Sequence, residues 1–261
     1  GPRRLIASSR ETENMTEPVE NWDPISGWWT EEVATDPLYE EDISALLGIL
    51  LGRPQGVVAD LGCGEGQWLR WLTNARTVGG VAADSLTLGC DLSESLLGRA
   101  VRNAPVVRCR LPDLAWLRDS SIDAAFSVYV VDLIVDLDRF FAETGRVVAD
   151  GGRLTVIVNH PVFTAPGSAP FMDQDREVLF RWGEYFGTGS SVEPAGDHGV
   201  QFHHRSMARW LTAAAAAGWS LERLEERGLS SQAIARDPGY AGQEQIPRIL
   251  GVTWTRRIRA G

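Results

Sequence analysis

The sequence predicts an α/β fold: a mainly parallel sheet covered by helices on both faces. Three observations predict it. From residue 57 onward, short apolar runs alternate with stretches of helical spacing. The first run, Val57-Val58-Ala59-Asp60-Leu61, opens into a loop of three glycines, Gly62, Gly64 and Gly66. The second run ends on an acid, Asp91. Strands that alternate with helices pair in parallel through crossovers, and the crossover helices cover both faces of the sheet.

The elements follow in order. Residues 1–20 are polar and without periodicity; they predict a disordered tail opening on Gly1-Pro2, the scar of a cleaved tag. Residues 21–52 read as an N-terminal lid segment. It carries Trp22, Trp28, Trp29 and Tyr39, then an amphipathic helix over 38–51, stopped by Gly52-Arg53-Pro54-Gln55-Gly56. The main domain spans 53–261, with strands over 57–61, 85–91, 106–109, 122–128 and 152–158 and helices from 67, over 94–102 and over 137–149. An insert follows at 161–205, where Pro161, Pro166, Pro170 and several glycines predict loops around one helix, 173–185. A helix over 206–217 ends at Gly218. Strands 219–224 and 249–256, with few residues between them, predict an antiparallel hairpin closing one edge.

Composition narrows the function. With 261 residues the chain suits one large domain and its lid. Asp and Glu total 35 against 25 basic residues, a net charge of −10. That balance argues against nucleic acid and anionic membranes as partners and leaves small neutral or cationic ligands. The longest aliphatic stretch, 43–51, is too short to span a bilayer, and no signal peptide is expected. Cys63, Cys90 and Cys109 form no CxxC pair, which predicts buried thiols in a reducing cytoplasm. Every basic residue is arginine, which suggests a GC-rich bacterial genome. No metal site is expected, because His203 and His204 are adjacent and no HxxxH or carboxylate cluster supports them.

The glycine loop points to a cofactor. Glycines at a strand-to-helix turn allow positive φ and close approach of backbone to a ligand. Dinucleotide sites space them G-x-G-x-x-G. Here the spacing is G-x-G-x-G, with Asp60 ahead of it and Glu65 inside it. Carboxylates are poor company for a diphosphate and suit an ammonium and a sulfonium. Asp91, at the end of the second strand, is placed to bond both ribose hydroxyls. The plainer readings are a structural turn and a helix cap shared with Ser93.

On these residues the chain, from about Trp22 onward, resembles the class I S-adenosylmethionine-dependent methyltransferases of small-molecule type. Asp60 to Gly66 looks like their first motif and Asp91 their ribose-binding acid. Glu143-Thr-Gly-Arg146-Val-Val-Ala-Asp-Gly151-Gly152-Arg153-Leu154 resembles their helix, turn and fifth strand. The resemblance implies a Rossmann-like, doubly wound seven-stranded sheet with the last strand reversed. It assigns cofactor contacts to Asp60, Gly62, Cys63, Gly64 and Gly66, to Asp91 and Leu92, to Leu111 and Asp113, and to Val128. Arg110 stands where the family carries an acid for the adenine, so Asp113 or backbone near Leu111 takes that part. The N-terminal aromatics resemble lid helices, which puts Trp28, Trp29 and Tyr39 over the acceptor, with Tyr129 and Asp132 after the fourth strand.

Two histidines are candidate bases. His160 follows the fifth strand, where ligands of open α/β sheets bind; His204 belongs to an element, His203-His204-Arg205, that resembles one beside the substrate in some relatives. Imidazole, with a pKa near 6.5, meets a base's requirement unaided. The expected function is methyl transfer from S-adenosylmethionine to oxygen or nitrogen of a small molecule, a secondary metabolite held in a pocket shaped by the insert. The protein is expected to act in the cytoplasm, as a monomer or homodimer. The alternatives are non-methylating chemistry such as a cyclisation on the same fold, a non-catalytic partner of another methyltransferase, and a nicotinamide oxidoreductase.

Overall fold

The computed structural model describes residues 18–33, 37–77 and 85–258. The expected tail lies almost wholly outside these, as does the side chain of Tyr39. The sheet comprises β1 (Val57–Leu61), β2 (Leu86–Asp91), β3 (Val106–Arg108), β4 (Ile122–Val128), β5 (Val148–Asn159), β10 (Trp219–Arg227) and β11 (Ile249–Arg256). Its seven strands run in the order β10-β11-β5-β4-β1-β2-β3. All neighbours pair in parallel except β11, which is antiparallel to both β5 and β10. The chain winds outward from β1 in both directions, so a crevice opens above the carboxyl ends of β1 and β4.

Both faces of the central strands are apolar, as the continuous runs require. Val58, Phe126 and Ile157 face α2 (Pro37–Leu51) and α3 (Gln67–Thr77), packing against Leu46, Leu47, Leu50, Trp68 and Leu72. Their neighbours Ala59, Ala125 and Val156 face the other way. There they meet Phe140 and Phe141 of α5 (Leu137–Val147) and Trp210 and Ala213 of α7 (Met207–Ala216). Helix α2, expected as part of a lid, is therefore a layer of the core. The cover over the crevice is the segment before it, which includes α1 (Ser26–Trp28). Helix α4 (Glu94–Ala100) follows β2.

The insert differs from expectation. Residues 173–185 form no helix. They close a hairpin of β6 (Ala169–Met172) and β7 (Val178–Arg181), whose turn is fixed by Asp173: its Oδ1 accepts from the Glu177 amide at 2.8 Å. A second hairpin, β8 (Ser190–Ala195) and β9 (His198–His203), replaces the expected loop, after the short α6 (Pro161–Thr164). Helix α5 stops at Val147 rather than 149, because Val148 already pairs with Ile122 in the sheet. The connection between β10 and β11 carries α8 (Ser231–Arg236) and a turn of 3-10 helix, so the edge pair is no tight hairpin. Among the described residues, no helix is long and apolar enough to cross a membrane.

Candidate functional site

A cleft of about 390 Å³ lies above the ends of β1, β2 and β4. One end is lined by Gly62, Cys63, Gly64, Asp91, Leu92, Cys109 and Leu111. The loop after β1 reaches this position through two glycines in the left-handed region. Gly62 has φ +86° and Gly64 φ +52°. A Cβ at Gly62 would overlap the side chain of Val130, whereas at Gly64 it would meet only the Trp29 indole nitrogen, at 3.7 Å. Gly62 is thus fixed by packing and Gly64 by a backbone turned toward the ligand space.

Asp91 is the pivot of this end. Its Oδ2 accepts from the Gly64 amide and its Oδ1 from the Ser93 amide, both at 2.9 Å. Burial pushes its pKa up, against the pull of these amides. The cap reading is therefore met as well: Asp91 binds the Ser93 amide while Ser93 Oγ caps α4 through the Leu96 amide. Asp60, at the end of β1, is 1% exposed, and neither carboxylate oxygen has a hydrogen-bond partner among the described residues. Burial, and then the charge of Asp91, raise its pKa well above the usual carboxylate range. Two acids converge here, one of them buried without a donor, and such a pair is costly unless a cation or donor is supplied.

The other end is lined by Trp22, Trp29, Tyr129, Val130, Leu133, Ile134, Val135, Val200, Gln201 and His203. Tyr129 sits at φ +56°, with its amide donated to Ile157 O at 2.8 Å. The 133–135 wall is held from behind by Arg205, whose guanidinium donates to the carbonyls of Val131, Ile134 and Val135. Residues 18–29 form a strap across the top. Val19 N donates to Gly199 O at 3.0 Å, and Arg110 reaches Glu20 O at 3.4 Å. At the far end Asp23 Oδ1 accepts from Ser93 Oγ at 2.6 Å and from Ser95 N and Oγ at 3.0 and 2.9 Å.

Of the residues singled out in the sequence, the structure brings Gly62, Cys63, Gly64, Asp91, Leu92, Leu111, Val128, Trp29 and Tyr129 into the cleft. Asp60 is buried and lies outside the lining, close enough to Asp91 to feel its charge. Gly66 lies outside the lining, packed on Ala100 where α3 begins. Asp113 turns away and caps the Ala115 amide at 3.0 Å. Trp28 packs between the core and the β8–β9 turn, against Gly196. Asp132 is buried behind the wall, with Oδ2 accepting from Asn159 at 3.1 Å and Oδ1 unpartnered; burial raises its pKa to about 6.

Neither candidate base reaches the cleft. His160 Nδ1 accepts from the Val162 amide at 3.1 Å, so its Nε2 carries the proton donated to Glu226 Oε1 at 2.8 Å. His204 Nε2 must donate to the Tyr185 carbonyl at 2.8 Å, which leaves Nδ1 to accept from Thr164 Oγ1 at 3.1 Å. In both rings the lone pair a base needs is already engaged. Sequence reasoning passed over Trp22 as a contact, the 133–135 wall and β9. Only the aromatic cluster around Trp22 carried a signal of its own.

Residues 59–156 match the family model of a methyltransferase domain. A Streptomyces fradiae protein described as an "Uncharacterized 37.1 kDa protein in transposon TN4556" is 32% identical over 49% of this chain and 37% of its own length. A Mus musculus protein, "Probable tRNA methyltransferase 9B", is 33% identical over 41% of this chain and 22% of its own. The chain thus spans 37% of the length of one curated relative and 22% of the other. Among solved structures, an S-adenosylmethionine dependent methyltransferase from Mesorhizobium loti superposes with a TM-score of 0.68. It is 26% identical, and the match covers 85% of this chain and 99% of that one.

Proposed function

We propose that the chain is a class I S-adenosylmethionine-dependent methyltransferase, and that it binds S-adenosylmethionine and methylates an oxygen or nitrogen of a small molecule. The observation that carries the cofactor reading is the orphaned Asp60 carboxylate beside Asp91. A ligand with an ammonium, a sulfonium and a ribose diol supplies the donors and the positive charge this pair lacks. Asp91 would accept from the ribose hydroxyls, and its two oxygens keep lone pairs beyond those used by Gly64 and Ser93. Asp60 and the Gly62–Gly64 backbone would hold the amino-acid end. Leu92, Cys109 and Leu111 offer an apolar slot for the base, and the backbone at Leu111 replaces Asp113, which faces away. When bound, the cofactor supplies an electrophilic methyl group. The protein's part is to hold an acceptor in line with that methyl and to keep water out, which the strap and the aromatic walls favour.

The roofed, narrow cleft and the net charge of −10 support a small molecule over a nucleic acid acceptor. The free thiols of Cys63, Cys90 and Cys109 fit a reducing compartment. Calorimetry with S-adenosylmethionine, S-adenosylhomocysteine and NAD tests the reading. Both adenosyl ligands should bind and NAD should not; tighter binding of NAD would overturn it.

A further inference from the structure

We propose that His203 is the base of this reaction and takes the proton from a hydroxyl on a flat, largely apolar acceptor; the proposal rests on the methyl-transfer reading above. Three observations carry it. His203 is the only histidine among the described residues that lines the cleft. Its imidazole makes no hydrogen bond among them, while the rings of His160 and His204 have both nitrogens engaged. The surrounding half of the cleft is built from Trp22, Trp29, Leu133, Ile134 and Val200, with Gln201 as its other polar group on β9. Such walls suit a ring system, and the imidazole is the neutral nitrogen base they hold for its hydroxyl.

Burial, and after it the charge of Arg205, hold the His203 pKa below its usual value. The ring is therefore neutral, with its lone pair available, at neutral pH. The charged and titratable groups of the cleft and its walls are Glu20 and Arg110 at the strap, Cys63, Glu65, Asp91, Cys109 and Tyr129 along the lining, Arg205 two residues further along and Asp132 buried behind the wall. Arg205 is committed to carbonyls and Asp132 to Asn159, so neither competes for the acceptor.

The balance of the step is simple. The acceptor O–H bond breaks and its proton passes to the imidazole; the oxygen pair forms the bond to the methyl carbon, and the carbon–sulfur pair returns to sulfur. The products are a methyl ether, the neutral thioether and an imidazolium that loses its proton to solvent.

The test compares His203→Asn with the wild type on two probes, 2-naphthol, which stays protonated at neutral pH, and 4-nitrophenol, which ionises unaided. S-Adenosylhomocysteine affinity should stay within about twofold of wild type. Methylation of 2-naphthol should fall by roughly 10²–10⁴, and that of 4-nitrophenol by less than about tenfold. The wild-type rate should drop at acid pH as the ring protonates, and the variant should lose that inflection. Adding 2-naphthol to the protein loaded with S-adenosylhomocysteine should shift the ring resonances of His203 and leave those of His160 and His204 in place. Methylation of 2-naphthol by the variant within about threefold of wild type, or an unmoved His203 resonance, would overturn the proposal. Failure of the wild type to bind S-adenosylhomocysteine would instead sink the methyl-transfer reading beneath it.

Discussion

The cofactor half of the cleft is drawn from short stretches at the ends of neighbouring strands: 62–64 after β1, 91–92 at the end of β2 and 109–111 after β3. The acceptor half gathers Trp22 and Trp29 from ahead of the sheet, residues 129–135 from beyond β4 and Val200, Gln201 and His203 from the insert. The first half is held by amides bonded to one carboxylate, and the second by side chains packed from three distant segments. Backbone geometry of the first kind is specified locally, residue by residue. Packing of the second kind exists only once the chain has folded.

The two halves touch where Gly62 meets Val130, and the most damaging test strikes there. Gly62→Val forces a branched side chain into φ +86° and into the space of Val130. Strain of about 1–3 kcal/mol comes from the backbone alone. Affinity for S-adenosylhomocysteine should fall by more than about 100-fold, with a lower melting temperature. Near-normal binding in calorimetry would mean the halves are independent.

Asp91→Ala separates them. Ribose hydroxyls lose their acceptor and Gly64 its anchor, and bonds to a charged group are worth roughly 1.5–3 kcal/mol each. Affinity for S-adenosylhomocysteine should fall at least about tenfold with the fold intact. Unchanged affinity would reduce Asp91 to the cap of α4.

The mildest test lies in the acceptor half. Asp132 titrates near pH 6 in the folded chain instead of near 3.8. The native state therefore binds this proton more tightly than the unfolded chain, and the contribution of Asp132 to stability should be highest below about pH 4. It should be lost as the pH rises through 6 and stay flat above. Asp132→Asn removes this loss and should raise stability at pH 8 by about 1–3 kcal/mol, with S-adenosylhomocysteine affinity unchanged. A melting temperature at pH 8 equal to or below that of the wild type would show that the carboxylate is stabilised by something other than its proton.

The same division decides what could be read from the sequence. Asp60, Gly62, Gly64 and Asp91 were legible because a strand end, a turn and a helix start lie within a few residues of each other. The central strands were legible as apolar runs, since both faces of the sheet are covered there. His160 was placed at the correct end of β5, yet its ring turns to Glu226, a partner 66 positions away that no spacing reveals. Residues 173–185 read as a helix, but Val178 and Phe180 are more buried than Leu179 and Arg181, a period-two pattern too short to stand out. The 133–135 wall depends on Arg205, whose carbonyl partners carry no side-chain signature at all.

Asp23 binds Ser93 and Ser95, two residues that directly follow the Asp91-Leu92 pair lining the cleft. The strap's far buckle and the cofactor half are thus tied to the start of one helix, α4. A ligand seated in the cleft would lie under a segment fastened to the same helix start that follows Asp91 and Leu92. Besides these polar contacts the strap packs Val19, Trp22, Ile25 and Trp28 against Ala195 and Val200 of the second hairpin, a cluster separate from the core of the seven-stranded sheet. A change at this one helix start would therefore reach the roof and the floor of the cleft together.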